Sequence, residues 1–139
     1  MNLLNLIKLK DNESGQSLVE FVLILPLLLF LVLGMIEFGW LLNGKITLNS
    51  AAREGARVGV VLNVSDTERK QKILDTINDT IDLSGMVIED DDLDVTEEND
   101  DYENTRDIIV EVNCEVEPII GLYITDPVPM KSVARMRRE

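Results

Sequence analysis

The hydrophobic pattern divides the chain into one unbroken apolar block and a set of short periodic segments. Residues 21–36 run for sixteen positions without a charged side chain, and the block reaches Leu42 if Glu37 is tolerated. A helix of about 20 mostly apolar residues crosses a bilayer core, so this block predicts a transmembrane helix. A secretory signal fits it poorly. Such a signal has a shorter apolar region ending at small residues, whereas Phe38, Trp40, Leu41 and Leu42 continue this one. Trp40 falls where an interfacial anchor is expected. Pro26 lacks the amide that would bond the carbonyl of Val22, which predicts a local kink or loosening of the helix.

Beyond Leu42 the period changes. Residues 43–61 contain no proline, and Ala51, Gly55 and Gly59 recur at four-residue spacing with Ala52 and Ala56 beside them. A stripe of small residues lets another backbone approach closely, either the protein's own sheet or a partner helix. Arg53, Glu54 and Arg57 fall at helical spacing as surface ion pairs. Residues 66–81 form a second amphipathic helix, capped by Ser65 or Asp66, with Ile73, Leu74, Ile77 and Ile81 on one stripe and Gly85 as terminator.

The remaining segments have a period of two. Leu93 and Val95 alternate with acids as a short strand. Over 108–116 the residues Ile108, Val110, Val112, Cys114 and Val116 face one way, while Ile109, Glu111, Asn113 and Glu115 face the other. Pro118 ends that strand, and an apolar connection over 119–129 leads to a last strand at 130–137 with Met130, Ser132, Ala134 and Met136 inward. The outward face of the middle strand is anionic and that of the last strand cationic. Facing opposite charges favour these two as antiparallel neighbours, with Arg135 and Arg137 near Glu111 and Glu115 and the Leu93 strand on the other side. The fold class is therefore α+β: a long N-terminal helix running into a small domain with a second helix and a three-stranded antiparallel sheet.

Charge sharpens this division. Residues 1–57 carry five acids and five bases, so the whole net charge of −13 lies beyond Arg57. A polyanionic domain repels phosphate backbones, which argues against nucleic acid. The chain has no histidine and a single cysteine, which removes the commonest general base and metal ligand and any intramolecular disulfide. Nothing points to an enzyme, a cofactor or a metal. Ten of the fifteen residues 89–103 are acidic, but the segment lacks the glycine of a calcium-binding loop and reads as a solvated acidic stretch. Cys114 reads as a small core hydrophobe. Glu20 and Glu37 lie seventeen residues apart, about 25 Å along a helix, near opposite faces of a bilayer. Glu37 is expected to snorkel to the interface, whereas Glu20 needs a cationic partner.

The segment Gly15-Gln16-Ser17-Leu18-Val19-Glu20-Phe21, continued by Val22-Leu23-Ile24-Leu25-Pro26-Leu27, resembles the N-terminus of the TadE-like pseudopilins of tight-adherence (Tad) pilus systems. Ala51-Ala52-Arg53-Glu54-Gly55-Ala56-Arg57 is similar to the segment that follows the membrane helix in that family, and the basic stretch 134–138 to its ending. The resemblance implies a pilin-like fold and a leader, residues 1–15, cut by a prepilin peptidase between Gly15 and Gln16. It also implies assembly residues at Glu20, Phe21 and Pro26. Residues 16–60 would be the membrane helix and its extension, and 61–139 an acidic extracytoplasmic domain on a single-pass cytoplasmic-membrane protein. The implied partners are membrane lipid, the prepilin peptidase, and other pilins or pilus assembly proteins. Cleavage would create an ammonium at Gln16, a natural partner for Glu20 of an adjacent subunit. An uncleaved, permanently anchored accessory protein of the same machinery is the alternative.

Overall fold

The structure, a computed structural model, describes residues 13–81, 86, 88–100 and 105–138; most of the expected leader and the expected terminator Gly85 lie outside them. Helix α1 spans Glu13–Val61 and helix α2 Asp66–Ile81, and a single 3-10 turn at Asp90–Asp92 precedes the strands β1 (Leu93–Asp100), β2 (Thr105–Val116) and β3 (Val128–Arg138). The chain forms two compact units, one ending at Ile36 and one beginning at Glu37.

Among the described residues the first unit is helix alone. It continues through Pro26, and most of its large side chains stand bare, Phe21 at 60% and Leu27 at 71% exposure. A helix apolar on all sides with no protein cover suits an apolar solvent rather than water.

In the second unit the rest of α1 is a packed spine. Leu48, Ala51, Ala52 and Ala56 are fully buried, together with Ile73, Ile77 and Ile81 of α2 and Ile108, Val110 and Val112 of β2. The expected stripe of α2 is its buried face, joined by Arg69. Ser65 caps this helix, its hydroxyl accepting from the Glu68 amide at 3.4 Å. The small residues of α1 are filled from within the unit. A Cβ on Gly55 would lie 3.0 Å from Ile77 and 3.1 Å from Ile73, and one on Gly59 would lie 2.8 Å from Ile73 and 3.5 Å from Ile108. The stripe thus receives α2 and β2 together.

The sheet has the order β1-β2-β3, antiparallel throughout. The middle strand lies between the other two, as the patterning predicts, with Val112 opposite Leu93 on one side and Ser132 on the other. All three strands extend beyond the expected spans, and this changes the charge pairing. Lys131 does reach Glu111, but Arg135 and Arg137 converge on Asp107, at 2.7 and 3.4 Å, and Arg135 also meets Glu98 at 3.1 Å. The register is the cause: β2 begins at Thr105, which sets Asp107 opposite Arg137, while Glu115 lies opposite Pro129. Asp107 is 3% exposed. The hydrogen bond from Arg135, aided by the charges of Arg135 and Arg137, holds its carboxyl below the usual range against the opposing effect of desolvation. Cys114 is buried against the core, and burial pushes its thiol up.

Candidate functional site

The N-terminal motif occupies the first turns of α1. Gln16 Nε2 donates to Glu20 Oε1 at 3.1 Å, one helical turn along. Gly15, Gln16, Glu20 and Phe21 are all exposed, so the carboxylate and the apolar ring beside it are presented outward. Such a carboxylate can accept further hydrogen bonds from a cation, since an amide donor leaves most of its lone pairs open. Pro26 follows in the same helix. These four residues and Pro26 all lie exposed within residues 15–26 of one helix. Ala51, Gly55 and Gly59 are elsewhere, on the buried face of the second unit.

A second constellation begins where the second unit begins. Glu37 does not snorkel: it is 2% exposed, and its Oε2 accepts the amides of Ile120 and Gly121, each at 3.1 Å. Its Oε1 is buried with no hydrogen-bond partner among the described residues. Gly121 has φ 65°, a left-handed conformation that turns successive amides toward one acceptor with no steric penalty at glycine. Trp40 Nε1 donates to the Glu117 carbonyl at 3.1 Å, Lys45 Nζ donates to the Lys131 carbonyl, and Asn49 Oδ1 accepts from the Ser132 hydroxyl at 2.8 Å. Glu37, Trp40, Lys45 and Asn49 succeed one another at intervals of three to five residues, so one line of polar clasps along α1 holds the β2–β3 connection and β3.

A third cluster surrounds Arg69. Its guanidinium meets Asp66 at 3.0 Å, the Val64 carbonyl at 3.2 Å and the carboxylate of Glu97, with Nε buried and unpartnered among the described residues. Glu97 lies on the inward side of β1, two residues after Val95, so this ion pair ties α2 to the sheet. Sequence reasoning missed both Glu37 as a clasp and Arg69. The available signals were a carboxylate interrupting an apolar run and a base four residues before Ile73 on the stripe. Among the described residues no group of three or more histidine, cysteine or acidic side chains is arranged to hold a metal.

One helix long and apolar enough to cross a bilayer, its apolar window without cover, leads into a small α+β unit. That is the form of a single-pass membrane anchor carrying a structural domain. Residues 15–57 match the model of a known family, TadE-like protein, the one that the motifs from Gly15 to Arg57 resemble, and the match associates the chain with Tad pilus systems. This family is structural and non-enzymatic. No curated protein and no solved structure shows significant similarity to the chain.

Proposed function

We propose that the protein is a pseudopilin or minor pilin, held in the cytoplasmic membrane by residues 16–42, trimmed after Gly15 by a prepilin peptidase, and active in assembly or priming of a Tad-type pilus by subunit packing. The observation that carries this reading is the exposed N-terminal surface, where Glu20 stands one turn beyond Gln16 at the head of a bare apolar helix. Trimming turns the Gln16 amide nitrogen into an ammonium. On a neighbouring subunit that ammonium meets the Glu20 carboxylate in a low-dielectric environment, where an unpaired charge is costly and a paired one fixes register. Lipid, and then other pilins, replace one another as the solvent of residues 21–36.

Mass spectrometry of the protein from its native membrane tests the first step: the chain begins at Gln16, and Gly15→Leu leaves the leader attached. A native chain that retains residues 1–15 overturns the trimming step and favours the uncleaved accessory protein. Glu20→Ala is trimmed and inserted yet fails to enter filaments or capture partner pilins. Normal assembly of that variant would remove the role given to Glu20.

A further inference from the structure

The connection 117–127 differs from the rest of its unit. Ile119, Ile120, Leu122, Tyr123 and Ile124 are all between 36% and 57% exposed, in a stretch whose only charges are the acids Glu117 and Asp126 near its ends. The other exposed large apolar side chains described in this unit are Phe38, Leu42 and Ile46, in the first ten residues of its helix, and the isolated Val61 and Val133. Apolar exposure is thus concentrated where the unit begins. The connection is fastened there too, by Glu37 to the amides of Ile120 and Gly121 and by Trp40 to the Glu117 carbonyl.

Depth follows from the length of the apolar block. A hydrocarbon core takes up about 20 apolar residues of helix, and counted from Leu18 that brings its edge to Glu37. A loop whose backbone is hydrogen-bonded to Glu37 and Trp40 lies within a few ångströms of that edge. Water is poor cover for five apolar side chains, and the boundary between headgroups and acyl chains is good cover, most of all for the amphipathic rings of Tyr123 and of Trp40, which holds the loop's first carbonyl.

We infer that the connection 117–127 is a second membrane contact, an apolar loop seated in the headgroup–acyl boundary beside the exit of the helix and held there by the Glu37 carboxylate. Its partner is a lipid surface. With no basic residue in the loop, the attraction is apolar and independent of lipid charge, unlike the binding of polybasic segments to anionic membranes. The inference rests on the reading of residues 21–36 as a membrane anchor, and the experiment separates the two.

Full-length protein carrying Cys114→Ala and Leu122→Cys is labelled with an environment-sensitive fluorophore and reconstituted into uncharged phosphatidylcholine vesicles, with or without a fraction of lipid bearing a spin label high on the acyl chain. Cys114→Ala with Val133→Cys, on the outward face of β3, is the control. Flotation with the vesicles checks the anchor. The expected result is a roughly twofold loss of emission at position 122 on adding spin-labelled lipid, little change at position 133, and the same loss when anionic lipid is included. Equal, weak quenching at both positions in protein that floats overturns the loop contact and leaves the anchor standing. Shielding at 122 that appears only at high protein-to-lipid ratio also overturns it, assigning the loop to a second copy of the chain. Protein that fails to float overturns the anchor, and the loop contact with it.

Discussion

The two parts of α1 are equally helical and oppositely buried. From Leu18 to Ile36 the side chains are mostly bulky all round the helix and the large ones are exposed apart from the half-buried Leu25 and Leu33, whereas beyond Glu37 the helix carries small residues on one face and that face is closed. Apolar content alone does not decide burial. A ring of leucines holds other elements at a distance on every side, while alanine and glycine at four-residue spacing let Ile73, Ile77 and Ile108 come close enough to exclude water. One part is left needing an apolar solvent, and the other brings its own.

This contrast is sharpest in a matched pair of truncations. Leu48→Ala opens a cavity at a fully buried position and should destabilise the folded unit by about 2–5 kcal/mol in denaturant unfolding of the full chain in detergent micelles. Leu29→Ala, at 51% exposure in the other part, should leave that unfolding midpoint unchanged. Equal effects would show that the two parts are not distinct packing environments. Glycines extend the test in the opposite direction. Gly59→Leu drives a side chain into Ile73 and should cost about 1–3 kcal/mol, more than the helix propensity gained. Gly39→Ala, with nothing within 4 Å of the added carbon, should gain up to about 1 kcal/mol.

Two smaller effects probe the polar clasps and the sheet. Glu37→Ala should cost about 1 kcal/mol, because the two amides it leaves are close enough to the surface to find water, and its clearest sign is faster proteolysis within residues 117–127 without global unfolding. Asp107 gives a dependence on pH. Its carboxyl is held below the usual range in the folded protein, so its contribution is complete above the carboxyl's unfolded pKa and is lost as pH falls through the folded one. The unfolding midpoint of the unaltered protein should therefore fall more steeply with acid than that of Asp107→Asn, and parallel curves would remove Asp107 from the linkage.

Much of this architecture is legible in the residues. The stripe of α2, the alternation of β2 and β3 and the length of the apolar block are local periodicities, and the structure follows each of them. What pattern does not reveal is which polar groups meet across the fold. Glu111, Glu115, Arg135 and Arg137 are legible as outward charges, but Asp107 is not, because the alternation that marks β2 begins at Ile108 while the strand itself begins at Thr105 and so sets Asp107 opposite Arg137. Glu37 reads as a misfit in an apolar run until the amides of Ile120 and Gly121 are brought to it by a turn some eighty residues away. The candidate assembly surface is the reverse case. Gly15, Gln16 and Glu20 are legible as a motif, and their place at the head of an exposed helix follows from sequence order alone.

The clasp between Trp40 and Glu117 makes the chain its own optical gauge. Trp40 is the single tryptophan, and its indole N–H is engaged by the carbonyl that opens the β2–β3 connection. Intrinsic emission excited at the red edge therefore reports one joint rather than an average over the molecule. A loop that lets go before the core melts would move the colour of that emission while the far-ultraviolet circular dichroism stands still.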